Sequence, residues 1–385
     1  MHAERKARLL ATLQSEIDSG RLPGAVVILS RHGKVELFES LGQQNPNTGT
    51  TMALDAIFRI YSMTKPIVSV ATMMLMEQGK LLLSDPVGKY LPEYAKQQFA
   101  VDFEGQVNYE AAKPATVQDL LRHTAGLTYE FLGNSAAQKA YRHAKIGMGL
   151  RDSSNAEFSK ILAAQPLQYD PATVWEYSRA TDVLGALVEI ISGQTLGNFL
   201  HDQIFKPLKM METAFSVPAD KHHRIAEPFT KDPDGGIQLK LINIQDHPTF
   251  ESGGGGLAST AHDYARFLQF MLNKGELDGV RLLSSHTVDF MTADHLGDLP
   301  ISEPCSATLL PPGHGFGLGF AVRKETGIST VPGSAGVYYW GGIAGTTFFV
   351  DPKLDMFAMM LIQAPNQRDY YRPLFRNLVY AALES

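Results

Sequence analysis

The sequence predicts an α/β fold of the α+β type, in which an antiparallel sheet flanked by helices carries an inserted, mostly helical domain. Three observations lead there. Strand-like runs cluster toward both ends of the chain. Helical periodicity fills the middle. The strand–helix–strand alternation of a doubly wound sheet or barrel is missing. At 385 residues, roughly 150 per domain allows two or three domains.

The elements follow in order. Leu9, Leu10, Leu13 and Ile17 recur at helical spacing over 3–18 before Gly20 stops the run. Ala25 to Leu29 and Lys34 to Phe38 flank Arg31-His32-Gly33, which predicts a hairpin. Residues 63–79 read as an apolar helix ending at Gly79, with Met73, Met74 and Met76 as core. Helices are expected at 116–122, 155–163, 180–192 and 195–203, joined by Pro- and Gly-rich connections. After Gly253-Gly254-Gly255-Gly256 comes an amphipathic run carrying Tyr264, Phe267, Leu268, Met271 and Leu272. Strands are expected over Gly315 to Val322, Thr346 to Val350 and Met356 to Gln363, and a helix over 371–383. In the first of these strands, glycines at 313, 315, 317 and 319 alternate with larger residues, as on a strand whose glycine face meets close-packed backbone.

Composition narrows the function. With 44% hydrophobic and 19% charged residues the chain is neither disordered nor supercharged. A net charge of −6 argues against a nucleic-acid footprint. The single Cys305 forms no intramolecular disulfide. Leu9, Leu10 and Leu13 are interrupted by Thr12, Gln14 and Glu16, unlike a signal peptide, and no apolar run reaches the roughly 20 residues of a membrane span. A cytoplasmic protein that engages no membrane is expected.

Ser62-Met63-Thr64-Lys65 stands just before the apolar helix. Residues i and i+3 share a helix face. A serine at the first turn lies near the positive end of the helix dipole. A lysine held beside it and partly desolvated can serve as its base, activating an otherwise weak hydroxyl. Pro66 suits the first turn. Alone the tetrapeptide is a weak signal, but two further segments join it. Trp175-Glu176-Tyr177-Ser178-Arg179 places a tyrosine in a short polar turn before a helix. Tyr339-Trp340-Gly341-Gly342-Ile343-Ala344-Gly345 is glycine-rich and stands ahead of a strand. Glycines let backbone N–H groups approach a ligand closely, where they can meet an oxyanion.

These motifs, in this order, resemble the serine β-lactamase and D-alanyl-D-alanine peptidase superfamily, specifically its esterase branch, the family VIII carboxylesterases. Leu121 to Leu127 and Ser252 to Leu257 are also similar to family segments, and the resemblance spans nearly the whole chain. It implies the β-lactamase/transpeptidase-like fold, with residues 1–60 and 253–385 forming the sheet domain, 61–252 the helical domain, and the active site at their junction. It implies that Ser62 is the acylated nucleophile and that Lys65 accepts or relays its proton. Tyr177 would be a second base, and which of the two acts first stays open. The amides of Ser62 and Ile343 would form the oxyanion hole. Trp340, Gly341, Gly342, Tyr129 and Arg179 would line the substrate pocket, and Asp182 would orient the Tyr177 loop. The implied activity is hydrolysis of short- to medium-chain carboxylic esters, with no cofactor and no metal, and oligomeric state is left open. Acyl transfer, β-lactam or D,D-peptide hydrolysis and, more remotely, a non-catalytic ligand-binding role are the alternatives.

Two departures sharpen this. Trp340 stands where the related β-lactamases carry the lysine of Lys-Thr-Gly, so neutral esters are expected over anionic lactams. Arg179 stands where they carry asparagine, and would restore some affinity for anions. No G-x-S-x-G elbow supports an α/β-hydrolase. His222-His223 shows no metal-ligand spacing, and His123 reads as structural rather than catalytic.

Overall fold

The computed structural model describes residues 1–103, 106–147 and 150–383. Its centre is an eight-stranded antiparallel sheet. The spatial order is His314–Phe316, Ala321–Arg323, Tyr338–Gly341, Thr347–Asp351, Met356–Ile362, Gly24–Arg31, Lys34–Asn45 and Thr50–Thr51. Both ends of the chain therefore build one sheet. The pattern of the central strands explains why. Every residue of Met356–Ile362 is buried. Met356, Ala358, Met360 and Ile362 enter one core cluster, and Phe357, Met359 and Leu361 the other. Gly24–Arg31 divides likewise, with Ala25, Val27 and Leu29 on the first face and Val26 and Ile28 on the second. A strand covered on both faces carries an unbroken apolar run.

Helices Ala3–Asp18 and Arg368–Ala381 pack together over the first face. Helices Thr64–Glu77 and Ala261–Leu272 belong to the core on the second. Residues Thr64 to Leu75 are all buried, so this helix has no polar face and sits inside the molecule. It packs on Ala180–Ser192, which follows the Tyr177 turn directly. A small sheet, Ile57–Arg59 against Ala258–Thr260, draws the segment before Ser62 alongside the glycine run 253–256.

Several expectations change. The strand expected over Gly315 to Val322 is two short strands, because the chain turns back through 317–320. Glycine is still required there, since a side chain at 317 would meet the Met291 carbonyl at 2.2 Å. Trp340-Gly341 also ends a strand of its own, Tyr338–Gly341, ahead of the expected strand, which runs Thr347–Asp351. The last helix starts at Arg368 and runs through Pro373. The hairpin Gln98–Phe103 with Gln106–Ala111 and the helix Ala136–His143 are additional. Among the described residues no single helix is long and apolar enough to cross a membrane.

Candidate active site

Ser62 lies in the single 3₁₀ turn Tyr61–Met63 that leads into Thr64–Glu77. Lys65 follows in the first helical turn and is 1% exposed. Its Nζ donates to Ser62 Oγ at 3.3 Å, to Tyr129 Oη at 2.9 Å and to the Gly254 carbonyl at 2.6 Å. An ammonium has three hydrogens, and all three have acceptors here. Tyr177 also reaches Ser62, its hydroxyl 2.6 Å from Ser62 Oγ. Lys65 Nζ stands 4.6 Å from the centre of the Tyr177 ring. The structure thus brings Ser62, Lys65 and Tyr177 together.

The Tyr177 turn is fixed by a buried polar network. The Glu176 carboxylate accepts hydrogen bonds from Thr128 Oγ1 at 2.6 Å, from Ser306 Oγ at 3.0 Å and from Ser302 Oγ. Ser306 Oγ also accepts the Tyr177 amide at 3.2 Å. His123 packs its ring 5.0 Å from that of Tyr177, with Nδ1 3.1 Å from Ser178 Oγ. Burial, then the charge of Lys65, hold this imidazole well below the usual histidine range, so it is neutral.

Asp182 touches the Tyr177 loop through Arg179 at 3.4 Å and has a second task beside it. Its Oδ1 accepts from Ser252 Oγ at 2.6 Å and from the Gly254 amide at 2.8 Å. It positions the glycine run, whose next carbonyl holds Lys65, while Glu176 orients the tyrosine turn. Position 254 is closed to a side chain, because a Cβ there would stand 2.9 Å from the Asp182 carboxylate. The expectation that Arg179 restores anion affinity changes. Its guanidinium is forked onto Glu130 at 2.6 and 3.2 Å and reaches Asp182 at 3.4 Å, so its charge is already answered by two carboxylates.

The opposite wall is apolar. Trp340 is 5% exposed and packs 5.2 Å from the Tyr177 ring and 5.4 Å from Phe316. Gly342 is pressed against the nucleophile turn, since a Cβ there would come within 2.4 Å of the Ile60 carbonyl. Its amide and that of Gly345 close the 342–346 turn through Thr346 O and Gly342 O, both at 2.9 Å. Ser62, Tyr129, Tyr177, Arg179, Trp340, Gly341 and Ile343 all line one cavity of about 1160 Å³. Gly342 stands behind that wall.

Sequence reasoning missed Glu176, Glu130, Ser252 and the contact of Tyr129 with Lys65. Only Glu176, a carboxylate between two aromatic residues in the short turn before a helix, carried a readable signal. Among the described residues no group of three histidine, cysteine or acidic side chains is arranged to hold a metal, and His222-His223 lie on a 3₁₀ turn.

Comparison with known proteins agrees with this geometry. Residues 9–381 match the family model described as Beta-lactamase. Protein Rv1367c of Mycobacterium tuberculosis is 33% identical over 92% of this chain and 88% of its own. Esterase EstB of Burkholderia gladioli is 30% identical over 93% of this chain and 90% of its own. The solved structure of EstCE1, a hydrolase with promiscuous acyltransferase activity, superposes with a TM-score of 0.81 at 26% identity, covering 98% of this chain and 99% of that one. With a matching model over almost its entire length and relatives that include an esterase, the chain belongs to the Beta-lactamase family as a serine hydrolase.

Proposed function

We propose that the chain is a carboxylesterase that hydrolyses short- to medium-chain esters through an acyl-enzyme on Ser62. The observation that carries this is the pair of contacts on Ser62 Oγ, Tyr177 at 2.6 Å and Lys65 at 3.3 Å. Tyr177 is the nearer of the two groups to Ser62 Oγ, and we take it, as a phenolate with the Lys65 amine 4.6 Å from its ring centre, as the acceptor of the serine proton. The 2.6 Å bond can carry its proton in either direction.

In the first step Ser62 Oγ attacks the ester carbonyl and its proton passes to Tyr177. The amides of Ser62 and Ile343 hold the oxyanion, and the alcohol leaves with the proton from Tyr177. In the second step water loses a proton to Tyr177, attacks the acyl carbonyl, and Ser62 recovers its proton as the acid departs. Trp340 carries no charge and Arg179 is already paired with Glu130 and Asp182, which supports esters over lactams whose carboxylate lies next to the scissile bond. The family relationship to EstCE1 supports a second outcome, discharge of the same acyl-enzyme by an alcohol.

The test is hydrolysis of 4-nitrophenyl butyrate beside nitrocefin, by wild type and Ser62→Ala. Fast ester turnover, slow nitrocefin turnover and loss of both in the variant are expected. Near-native ester turnover by folded Ser62→Ala would remove the nucleophile assignment. Adding an acceptor alcohol and analysing products separates hydrolysis from transfer.

A further inference from the structure

The cavity that holds Ser62 does not end at Trp340. It continues past Gly341 onto the other face of the Tyr338–Gly341 strand, where the helix Arg368–Ala381 lines it with Arg368, Arg372 and Arg376. Residues spaced by four share a helix face, so this helix turns a row of guanidinium groups toward one arm of the cavity. Gly341 marks the passage between the arms, and a Cβ there would stand 2.8 Å from the Arg372 guanidinium.

Two of these cations lack the partners buried cations usually have. Arg376 is 7% exposed and lies over the rings of Tyr339 and Phe349 at 4.4 and 4.9 Å. Among the described residues it has no ion pair and no hydrogen bond. Arg372 donates to the carbonyls of Gly342 and Thr346, its Nε is buried without a partner, and it too has no ion pair among the described residues. Burial, reinforced by Arg368, holds Arg372 down to about 10, and burial lowers Arg376 likewise. The carboxylates nearby are spoken for or outside. Asp351 accepts Tyr380 Oη at 2.8 Å. Asp369 is 81% exposed and lies 3.6 Å from Arg368. Burying a charge without a counter-charge is costly, and an anion entering this arm would relieve that cost twice.

We propose that this arm is a subsite for a carboxylate on the substrate, remote from the reacting carbonyl and held by Arg372 and Arg376. The preferred substrates are then half-esters of dicarboxylic acids or esters of hydroxy acids. The rings of Tyr339, Phe349 and Phe375 line the approach, which suits a hydrocarbon chain ending in the charge, and the guanidinium fork matches a carboxylate. This rests on the esterase reading above and deepens it. It also reverses the simple expectation of neutral substrates: Arg179, near the scissile bond, is already paired with carboxylates, yet among the described residues Arg372 and Arg376 at the far end are not.

The test uses matched esters. On the acyl side, mono-4-nitrophenyl adipate is compared with 4-nitrophenyl hexanoate. On the alcohol side, 6-acetoxyhexanoate is compared with 6-acetoxyhexanamide. The quantity read is the anionic-to-neutral ratio of kcat/KM in wild type, Arg372→Gln and Arg376→Gln. Loss of one charge-assisted hydrogen bond lowers that ratio about tenfold or more in at least one pair of esters. A ratio that falls less than about threefold in both variants and both pairs overturns the subsite, whatever its size in wild type. Arg376→Lys keeps the charge but not the fork, and restores part of the ratio. If Arg376→Gln does not fold, Arg372→Gln and Arg376→Lys decide. If the wild type hydrolyses none of the four esters, the esterase reading fails. The subsite is then judged by heat stability in adipate, raised in wild type and not in Arg372→Gln; equal shifts in both, or none in wild type, overturn it.

Discussion

Two segments that line the Ser62 cavity, one carrying Tyr177 and the other Trp340, are held in place by opposite means. The turn carrying Tyr177 is fixed by buried charge: Glu176 under three hydroxyls, Arg179 between Glu130 and Asp182, and Asp182 on the Gly254 amide. The strand carrying Trp340 is fixed by shape: a glycine against the Ile60 carbonyl and an indole between Tyr177 and Phe316. A polar network specifies where hydrogen atoms point, which the proton-carrying side needs. Close packing specifies only position, which suffices for a wall and a pair of amides. Substitutions on the two sides should therefore fail differently.

The largest effect is expected on the proton-carrying side. Tyr177→Phe keeps the ring against Trp340 but removes the hydroxyl, so kcat should fall about 10³-fold while melting temperature hardly changes. Trp340→Phe should move kcat far less and KM more. Steady-state kinetics on one ester with both proteins checks this, and equal losses of kcat would erase the proposed division of labour.

Glu176→Ala comes next, and it separates stability from chemistry. It leaves the hydroxyls of Thr128, Ser302 and Ser306 without their shared acceptor. At roughly 1–3 kcal/mol for each buried unsatisfied group, a loss of about 3 kcal/mol in urea unfolding is expected. The Tyr177 turn loosens with it, so kcat should fall more steeply than stability alone explains. Glu176→Gln, which keeps one acceptor oxygen, should lie between. On the packed side, Gly342→Ala forces a Cβ to 2.4 Å from the Ile60 carbonyl. Overpacking of this kind costs about 1–3 kcal/mol, and because Ile60 precedes the nucleophile turn, kcat and KM should both worsen. A variant of full stability and full activity would show that the turn yields.

The same contrast explains what was legible in the sequence. Ser62, Lys65 and Tyr177 could be found because each sits in a short local pattern whose order along the chain is informative. The strand Met356–Ile362 could be read because its apolar run has no other home than the middle of a covered sheet. The network beneath the tyrosine turn was hidden because it joins distant residues: Glu176 meets partners more than a hundred positions away. Arg179 was misread for the same reason, since nothing local shows that Glu130 claims it. The hairpin at 98–111 escaped because its second strand, Gln106–Ala111, is exposed throughout, so the alternation of Val107, Tyr109 and Ala111 with polar residues marks no buried face. The strand expected at 315–322 broke because the small residues at 317 and 319 serve a turn as readily as a strand.

The smallest expected effect falls on His123, which belongs to both sides. One ring nitrogen meets Ser178 in the polar turn, while the ring packs on Tyr177, Phe316 and Trp175. Its other nitrogen is buried without a partner, so a proton there would find no acceptor. The folded chain keeps this group neutral at pH values where the unfolded chain, near the ordinary 6.5, binds a proton. Stability therefore falls as pH drops below about 6.5, because the unfolded state takes up more protons. One such histidine contributes a slope of at most about 1.4 kcal/mol per pH unit. His295 and His314 are also held below the usual range by burial, so the wild-type slope includes them. Urea unfolding of wild type and His123→Phe at pH 5, 6 and 7 isolates the share of His123. The variant should lose stability less steeply on acidification, by up to one proton, and parallel curves would mean that His123 is charged in the folded chain. The Ser178 hydroxyl also loses its imidazole partner in this variant, on the proton-carrying side, so a modest fall in kcat at pH 7 should accompany the flatter curve. A flatter curve with unchanged kcat would place His123 with the packed wall instead.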